Sequence, residues 1–89
     1  MVTIYYSSSF KKSVKKYSSY KKQIKKRIEI FMKDPDSPSL KGHKLKGGLV
    51  GYHSFSVTYS LRILFEFMDD NKVGFVDIGT HEVYKKWGA

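Results

Sequence analysis

The sequence predicts a single α+β domain: an N-terminal strand, a helical hairpin and three antiparallel strands that form one four-stranded sheet, with the helices on one face. Two patterns predict it. Apolar residues recur at helical spacing in the first third of the chain, and after residue 48 they alternate with a period of two. The 89 residues are enough for one compact domain and too few for two, so the domain is expected to span residues 1–89.

The first predicted elements are a strand at residues 2–6, where β-branched and aromatic side chains predominate, and a helix that follows it. Serines at positions 7–9 offer an N-cap for this helix. Phe10, Val14 and Tyr17 then recur at helical spacing with lysines between them, which is typical of an amphipathic helix.

A second helix is predicted after Ser18 and Ser19, which interrupt the first pattern and can cap the next helix. It ends at Asp34, because Pro35 disfavours helical geometry in the residue before it. The two helices are expected to form a hairpin. The apolar stripe of the second helix consists of Tyr20, Ile24, Ile28 and Phe31.

Three strands are predicted in the C-terminal half, after a polar connector at residues 34–48. They cover residues 49–57, 59–68 and 73–79. A turn at residues 69–72 makes the last two strands antiparallel.

Alternation along the second of these strands predicts which side chains face the helices. Arg62 shares a strand face with Leu64 and Glu66, so it is expected to point away from the helices, towards a face that is left partly open. No element is assigned to residues 81–87. The residues expected on the helix-facing side are Tyr59, Leu61, Ile63, Phe65 and Phe67.

The charge of the protein is strongly one-sided, with 17 Lys and Arg against 8 Asp and Glu and a net charge of +9. A surplus of this kind creates a strong positive field and predicts a polyanionic partner, with nucleic acid first and an anionic membrane surface second. Lysines that only keep the protein soluble are the alternative. This alternative is disfavoured, because charge of either sign keeps a protein soluble, whereas the surplus here is entirely positive.

The absence of cysteine excludes disulfides and thiolate zinc sites and suits the cytosol. Residues 1–6 lack the charged start and apolar run of a signal peptide. No apolar stretch approaches the roughly 20 residues that span a bilayer. We therefore expect a soluble, cytoplasmic protein that does not bind a membrane.

Groups suited to cutting RNA without a metal are scattered over the second half of the chain. In that reaction the 2′-hydroxyl attacks the adjacent phosphate, a base removes its proton, an acid protonates the leaving oxygen, and a cation stabilises the phosphate. His43 and His81 are imidazoles that can act as base and acid near neutral pH. Arg62 can bind a phosphate through two parallel hydrogen bonds. Tyr84 can stack on an unpaired base.

Each of these residues also has a structural interpretation. His43 lies among lysines and can be an exposed loop residue, while His81 can close a strand by binding backbone. Arg62 can lie on a solvated sheet face, and Tyr84 can be a packing residue. For His53, which sits beside a tyrosine in a predicted strand, the structural interpretation is the favoured one.

Three segments resemble motifs of the RelE/ParE toxin superfamily. Residues 42–47 (GHKLKG) resemble its connector motif, and residues 59–66 (YSLRILFE), preceded by Gly51 and Tyr52, resemble its strand pair. Residues 77–84 (DIGTHEVY) resemble its last strand and closing His-x-x-Tyr. The order of elements also agrees, and the branches most similar to this sequence are YafQ and YoeB.

The resemblance implies a toxin of a type II toxin–antitoxin system with a RelE-like fold. Such a toxin is an endoribonuclease, an mRNA interferase that needs no metal or cofactor, cleaves mRNA in the A site of the 70S ribosome and is neutralised by a cognate antitoxin. By position, the resemblance implies that His43 is the general base, Arg62 binds the phosphate, His81 is the general acid and Tyr84 contacts the substrate base.

The sequence departs from the YafQ branch in the strand pair. That branch carries a further His and Asp where this chain has Ser56 and Ser60, and it lacks the arginine found here at position 62. The lysines are expected to bind the RNA backbone without reading its sequence. The lysines assigned to this role are Lys22, Lys25, Lys26, Lys41, Lys44, Lys46 and Lys85.

Three other functions remain open at this point. A ParE-like protein shares the fold and inhibits DNA gyrase without catalysis, but it has no use for His43 and His81 on either side of Arg62. A basic RNA-binding module would bind without cleaving. A membrane-surface protein is disfavoured because no helix has a bulky apolar face.

Overall fold

The computed structural model describes residues 1–88. It confirms the α+β class and contains one five-stranded sheet in the order β1-β5-β4-β3-β2. The pair β1–β5 is parallel and the other pairs are antiparallel. The elements are β1 (Thr3–Tyr6), α1 (Ser8–Val14), α2 (Lys21–Lys33), β2 (His43–Lys44), β3 (His53–Ser56), β4 (Arg62–Asp69), β5 (Lys72–Gly79) and α3 (Glu82–Gly88).

The connection between α1 and α2 differs from the prediction. Ser7 caps α1 as expected, since its hydroxyl accepts a hydrogen bond from the backbone N–H of Phe10 at 2.9 Å. The chain then passes through a 3₁₀ helix at Lys15–Tyr20, with non-helical backbone angles at Tyr17. No side chain caps α2, so the capping role predicted for Ser18 or Ser19 is wrong. The helix ends at Lys33, before Asp34 and Pro35, as predicted.

The main core lies between the sheet and the helices α1 and α2, and it is built from aromatic rings. Phe31 of α2 is fully buried and stacks on Phe55 of β3 with ring centroids 5.0 Å apart. It also packs edge-on against Phe65 and Phe75 at 4.9 and 5.4 Å. Ile63 joins the same core, which confirms the prediction that this residue of β4 faces the helices.

The predicted start of the strand at residues 59–68 is wrong, whereas its end is displaced by one residue, to Asp69. β4 begins only at Arg62, because the N–H groups of Val57 and Thr58 both donate to the carbonyl of Leu61 and close a tight turn. Tyr59 therefore lies outside the strand and is 99% exposed. Phe67 is also 46% exposed, so neither ring belongs to the core.

The second sheet face is partly covered by α3, for which the sequence predicted no element. Val76 is an extra residue in β5, since Leu64 pairs with Asp77 and the next residue of β4 pairs with Phe75. Leu64, Val76 and Val83 form a small second core under α3. The strand predicted at residues 49–57 is shortened to β3, and β2 is an additional two-residue strand.

A candidate active site around Tyr84

The hydroxyl of Tyr84 is the meeting point of three structural elements. Tyr84 lies on α3, whose Val83 packs on the sheet. Its hydroxyl oxygen is 2.9 Å from the hydroxyl of Ser54 on β3 and accepts a hydrogen bond from Nη1 of Arg62 on β4 at 3.1 Å. The guanidinium carbon of Arg62 lies 5.6 Å from the centroid of the tyrosine ring. Helix α3 and the neighbouring strands β3 and β4 therefore hold one polar cluster.

Both predicted catalytic histidines border this cluster. Nε2 of His43 is 3.5 Å from the hydroxyl oxygen of Ser54, and Nδ1 is 3.4 Å from the carbonyl oxygen of Lys41. The ring of His81 lies edge-on to that of Tyr84, with centroids 5.8 Å apart. Both imidazoles are exposed to solvent. The topology explains the convergence, because β2 carries His43 beside β3, and His81 follows the end of β5.

Arg62 is held at the first position of β4, opposite Ser56 on β3 and Gly79 on β5. Its side chain lies on the α3 side of the sheet, away from α1 and α2, as the alternation of side chains along the strand predicted. Nη2 donates to the carbonyl oxygen of Tyr59 at 3.3 Å. Among the described residues, Nε has no hydrogen-bond partner although it is buried.

Asp77 anchors α3 and so fixes the position of Tyr84. The carboxylate is buried and accepts hydrogen bonds from Nε1 of Trp87 at 2.8 Å and from the backbone N–H of Ile78 at 2.9 Å. Nζ of Lys86 lies 3.2 Å away. Burial raises the pKa of Asp77, but hydrogen bonds from Ser13, Trp87, Ile78 and Lys86 outweigh it and lower the pKa below its usual value.

Sequence analysis did not identify Asp77, Trp87 or Ser54 as parts of this site. The available signal was an aspartate inside an apolar strand, followed ten residues later by the only tryptophan of the chain. Nothing in the sequence distinguished Ser54, because a serine in a strand is common. Its role here depends on contacts with His43 on β2 and Tyr84 on α3, which the sequence does not show. Ser56 and Ser60, which stand where the YafQ branch carries a His and an Asp, make no hydrogen bond to Tyr84.

His53 belongs to the opposite face of the sheet. Its ring stacks on Phe65 with centroids 5.4 Å apart and lies edge-on to Phe67 at 4.9 Å. Burial and the nearby positive charge of Lys44 lower the pKa of His53, so the neutral imidazole is favoured. These contacts give His53 a packing role, in agreement with the favoured interpretation of the sequence.

The seven lysines assigned to RNA binding are all exposed, and they form three groups along the chain. Lys22, Lys25 and Lys26 are on α2. A second group, at positions 41, 44 and 46, flanks His43. Lys85 on α3 lies 3.8 Å from Glu82, a pair so exposed that it contributes little stability.

Two further observations bear on ligands. Within residues 1–88, no group of three or more His, Asp or Glu side chains is arranged to hold a metal ion. None of the helices in this part of the chain is both long enough and apolar enough to cross a membrane.

The fold and the Tyr84 cluster define a small, basic α+β protein that presents two histidines and an arginine around one tyrosine. A family model described as "ParE toxin of type II toxin-antitoxin system, parDE" matches residues 4–83. The protein therefore belongs to the ParE toxin family of type II toxin–antitoxin systems, and the predicted membership of the RelE/ParE superfamily is confirmed.

Solved structures of toxins share this fold. YafQ from Escherichia coli BL21(DE3) has a TM-score of 0.78 and 22% sequence identity, over 93% of this chain and 97% of that one. The YoeB/ParE toxin from Agrobacterium tumefaciens has a TM-score of 0.76 and 16% identity, over 90% and 99%. The YoeB–YefM toxin–antitoxin complex from Staphylococcus aureus matches with a TM-score of 0.68 and 24% identity, over 91% and 98%. No curated protein matches the sequence.

Proposed function

We propose that this toxin is a ribosome-dependent endoribonuclease that cleaves mRNA in the ribosomal A site. The observation that carries the proposal is the convergence of His43, Arg62 and His81 around Tyr84. A base, a cation and an acid must all reach one phosphate. Here Arg62 donates to the Tyr84 hydroxyl, His43 lies beside Ser54, whose hydroxyl is bonded to that of Tyr84, and the ring of His81 packs edge-on against the tyrosine ring.

The proposed mechanism uses the 2′-hydroxyl of the RNA as nucleophile. His43 removes its proton, and His81 protonates the leaving 5′ oxygen. Arg62 binds the phosphate and stabilises the charge that builds on it. Tyr84 positions Arg62 through its hydroxyl and offers its ring to a base. No metal or cofactor takes part in these steps.

Recognition of the ribosome is assigned to the exposed lysines. The group on α2 at positions 22, 25 and 26 and the group around His43 all face solvent. We propose that they bind ribosomal RNA phosphates, and that a cognate antitoxin neutralises the toxin in the cytoplasm. The similarity to YoeB, solved with YefM as a toxin–antitoxin complex, supports the antitoxin.

Inhibition of DNA gyrase without catalysis is the second candidate function. The family description, which names ParE, favours it. It gives no role to the two exposed histidines beside Arg62, which is why we place it second.

The two functions are separated by mapping mRNA 5′ ends after induction of the toxin. A reporter mRNA and a copy without a start codon are compared in the same cells. Our proposal predicts new ends within codons of the translated reporter and none in the untranslated copy. Intact mRNA accompanied by DNA double-strand breaks would instead identify a gyrase inhibitor.

A further inference from the structure

A second cleft, of about 360 Å³, shares Arg62 with the site around Tyr84. Its walls come from α2, the loop before β2 and the turn between β3 and β4. Three cations line it, Arg27, Lys41 and Arg62, and none of its described lining residues is acidic. The cleft is therefore an anion-binding environment that continues directly from the proposed phosphate site.

The backbone holds the guanidinium of one of these cations and shapes the loop that carries another. Nη1 of Arg27 donates to the carbonyl oxygen of Ser39 at 2.7 Å, which ties α2 to the loop. Lys41 adopts a left-handed conformation with φ of 52°, and among the described residues it is the only one other than glycine with a positive φ. This conformation is costly for a residue with a Cβ, so the surrounding loop must enforce it. The carbonyl oxygen of Lys41 lies 3.4 Å from Nδ1 of His43, so the same loop serves both sites.

Tyr59 lies at the rim of the cleft with its side chain in solvent. It is 99% exposed, although a tyrosine normally buries much of its ring. Its carbonyl oxygen accepts a hydrogen bond from Nη2 of Arg62, so the turn that carries it is fixed to the proposed phosphate site. Cations along a groove with an adjacent free aromatic ring are the usual means of binding single-stranded nucleic acid.

We propose that this cleft is a second nucleotide subsite for the mRNA, in which Arg27 and Lys41 bind the phosphate next to the one at Arg62 and Tyr59 stacks on an unpaired base. The inference rests on the proposed function, because it takes the molecule at Arg62 to be RNA. Single-stranded RNA fits better than a duplex, since only an unpaired base exposes its face to a ring. A groove lined by three cations and, among its described residues, by no acidic group also fits a polyanion such as RNA better than a protein of mixed charge.

The test is the binding of a fluorescent single-stranded RNA, methylated at every 2′-oxygen so that it cannot be cleaved, measured by anisotropy over a range of salt concentrations. Lys41→Gly removes the charge and suits the left-handed backbone, so it should lower the salt slope by at most about 0.7, the value for complete loss of the phosphate contact that it shares with Arg27. Arg27→Ala should do the same. Tyr59→Ala should weaken binding by roughly 5- to 150-fold, and Tyr59→Phe should bind like the unmodified toxin.

Lys72→Ala is the matched control. It removes one positive charge at the start of β5, beside Asp69, which ends β4 about 23 Å along the strand from Arg62. It should leave both affinity and salt slope unchanged. Thermal melts of every variant confirm that the fold is intact, and Lys41→Gly remains informative if Arg27→Ala disturbs the loop.

Wild-type affinity for Tyr59→Ala, an unchanged salt slope for Lys41→Gly, or no binding by the toxin at low salt would each overturn the subsite. Cleavage is not needed for this measurement. A toxin that binds as described but never cleaves mRNA would therefore refute the proposed function alone, and one that cleaves but shows no effect of these variants would refute the subsite alone.

A second arm identifies the source of the RNA. The toxin is bound to 70S ribosomes programmed with an mRNA that carries 4-thiouridine in the A-site codon and the codons beside it, and it is then crosslinked with light. We expect the mRNA to crosslink to a peptide that contains Tyr59. Crosslinks of the mRNA to other peptides of the toxin, and none to the peptide that contains Tyr59, would overturn its assignment to mRNA.

Discussion

Arg62 and Tyr84 form the central contact of the site: Nη1 of the guanidinium donates to the phenol oxygen at 3.1 Å, and the guanidinium carbon lies 5.6 Å from the ring centroid. The phenol thus orients the cation from one side, while the carbonyl of Tyr59 holds it from the other. Because both partners are neutral, the positive charge of Arg62 remains available for a phosphate.

Substitutions of Arg62 and Tyr84 should show how much the cleavage rate depends on the charge of the arginine and how much on the tyrosine that positions it. Arg62→Ala removes the cation that stabilises the transition state and should lower the cleavage rate by about 10²–10³-fold. Tyr84→Ala should lose less, because stacking on a base contributes only about 1–3 kcal/mol. Single-turnover cleavage on programmed ribosomes measures both rates. An Arg62→Ala toxin as fast as the wild type would show that the phosphate is held elsewhere.

The two histidines should matter for chemistry and not for folding. His43→Ala and His81→Ala each remove a general base or acid, which is worth about 10²–10⁴-fold in rate. Both side chains are exposed, so thermal melts and antitoxin binding should be unchanged while growth inhibition is lost. His53→Ala is the contrasting variant, because it should lower stability through its lost contacts with Phe65 and Phe67 yet leave cleavage nearly intact.

The buried carboxylate of Asp77 should make stability depend on pH. Its pKa is lowered in the folded protein, so its contribution is fully present above the unfolded pKa of about 4 and is lost as the pH falls through the folded pKa. Asp77→Asn weakens hydrogen bonds to a charged group and should cost roughly 1.5–3 kcal/mol at pH 7. Urea unfolding at pH 7 and pH 3 measures this, and the difference between the two proteins should shrink at pH 3.

Glu82→Gln is the control for this prediction, because the pair of Glu82 with Lys85 is largely exposed and its removal should change stability very little. If Asp77→Asn is as stable as the wild type at pH 7, the carboxylate does not anchor α3.

Ribosome binding should depend steeply on salt. Replacing Lys22, Lys25 and Lys26 together by alanine should reduce the salt slope by about two to three, since each neutralised phosphate releases counterions. The matched variant replaces Lys11, Lys12 and Lys15, which are equally exposed but lie before α2. Equal losses in the two triple variants would show that net charge, and not the surface of α2, governs binding. Lys44→Ala should weaken binding and leave a toxic protein.

The elements that the sequence predicted correctly are those whose signal is local. The alternation around Ile63 and Phe65 and the proline after α2 each follow from neighbouring residues. Helix α3 and β2 could not be predicted in this way. α3 has seven residues and a single buried apolar side chain, and its position depends on the contact between Trp87 and Asp77 on another element. β2 has only two residues and forms because β3 lies beside it.

The same distinction holds for the site. His43, Arg62, His81 and Tyr84 were identified from their chemistry and from the family motifs, and the fold brings them together. Ser54, which lies between His43 and Tyr84, was missed, because nothing in its own neighbourhood along the chain distinguishes it.

The most direct test of the central claim is cleavage of an mRNA with a single 2′-deoxy nucleotide at the scissile position of the A-site codon. Purified toxin is added to 70S ribosomes programmed with this mRNA or with the unmodified one. The proposed mechanism predicts rapid cleavage of the unmodified mRNA to a 2′,3′-cyclic phosphate and none of the deoxy substrate, because the nucleophile is missing. Cleavage of both at the same rate, or of neither, would contradict it.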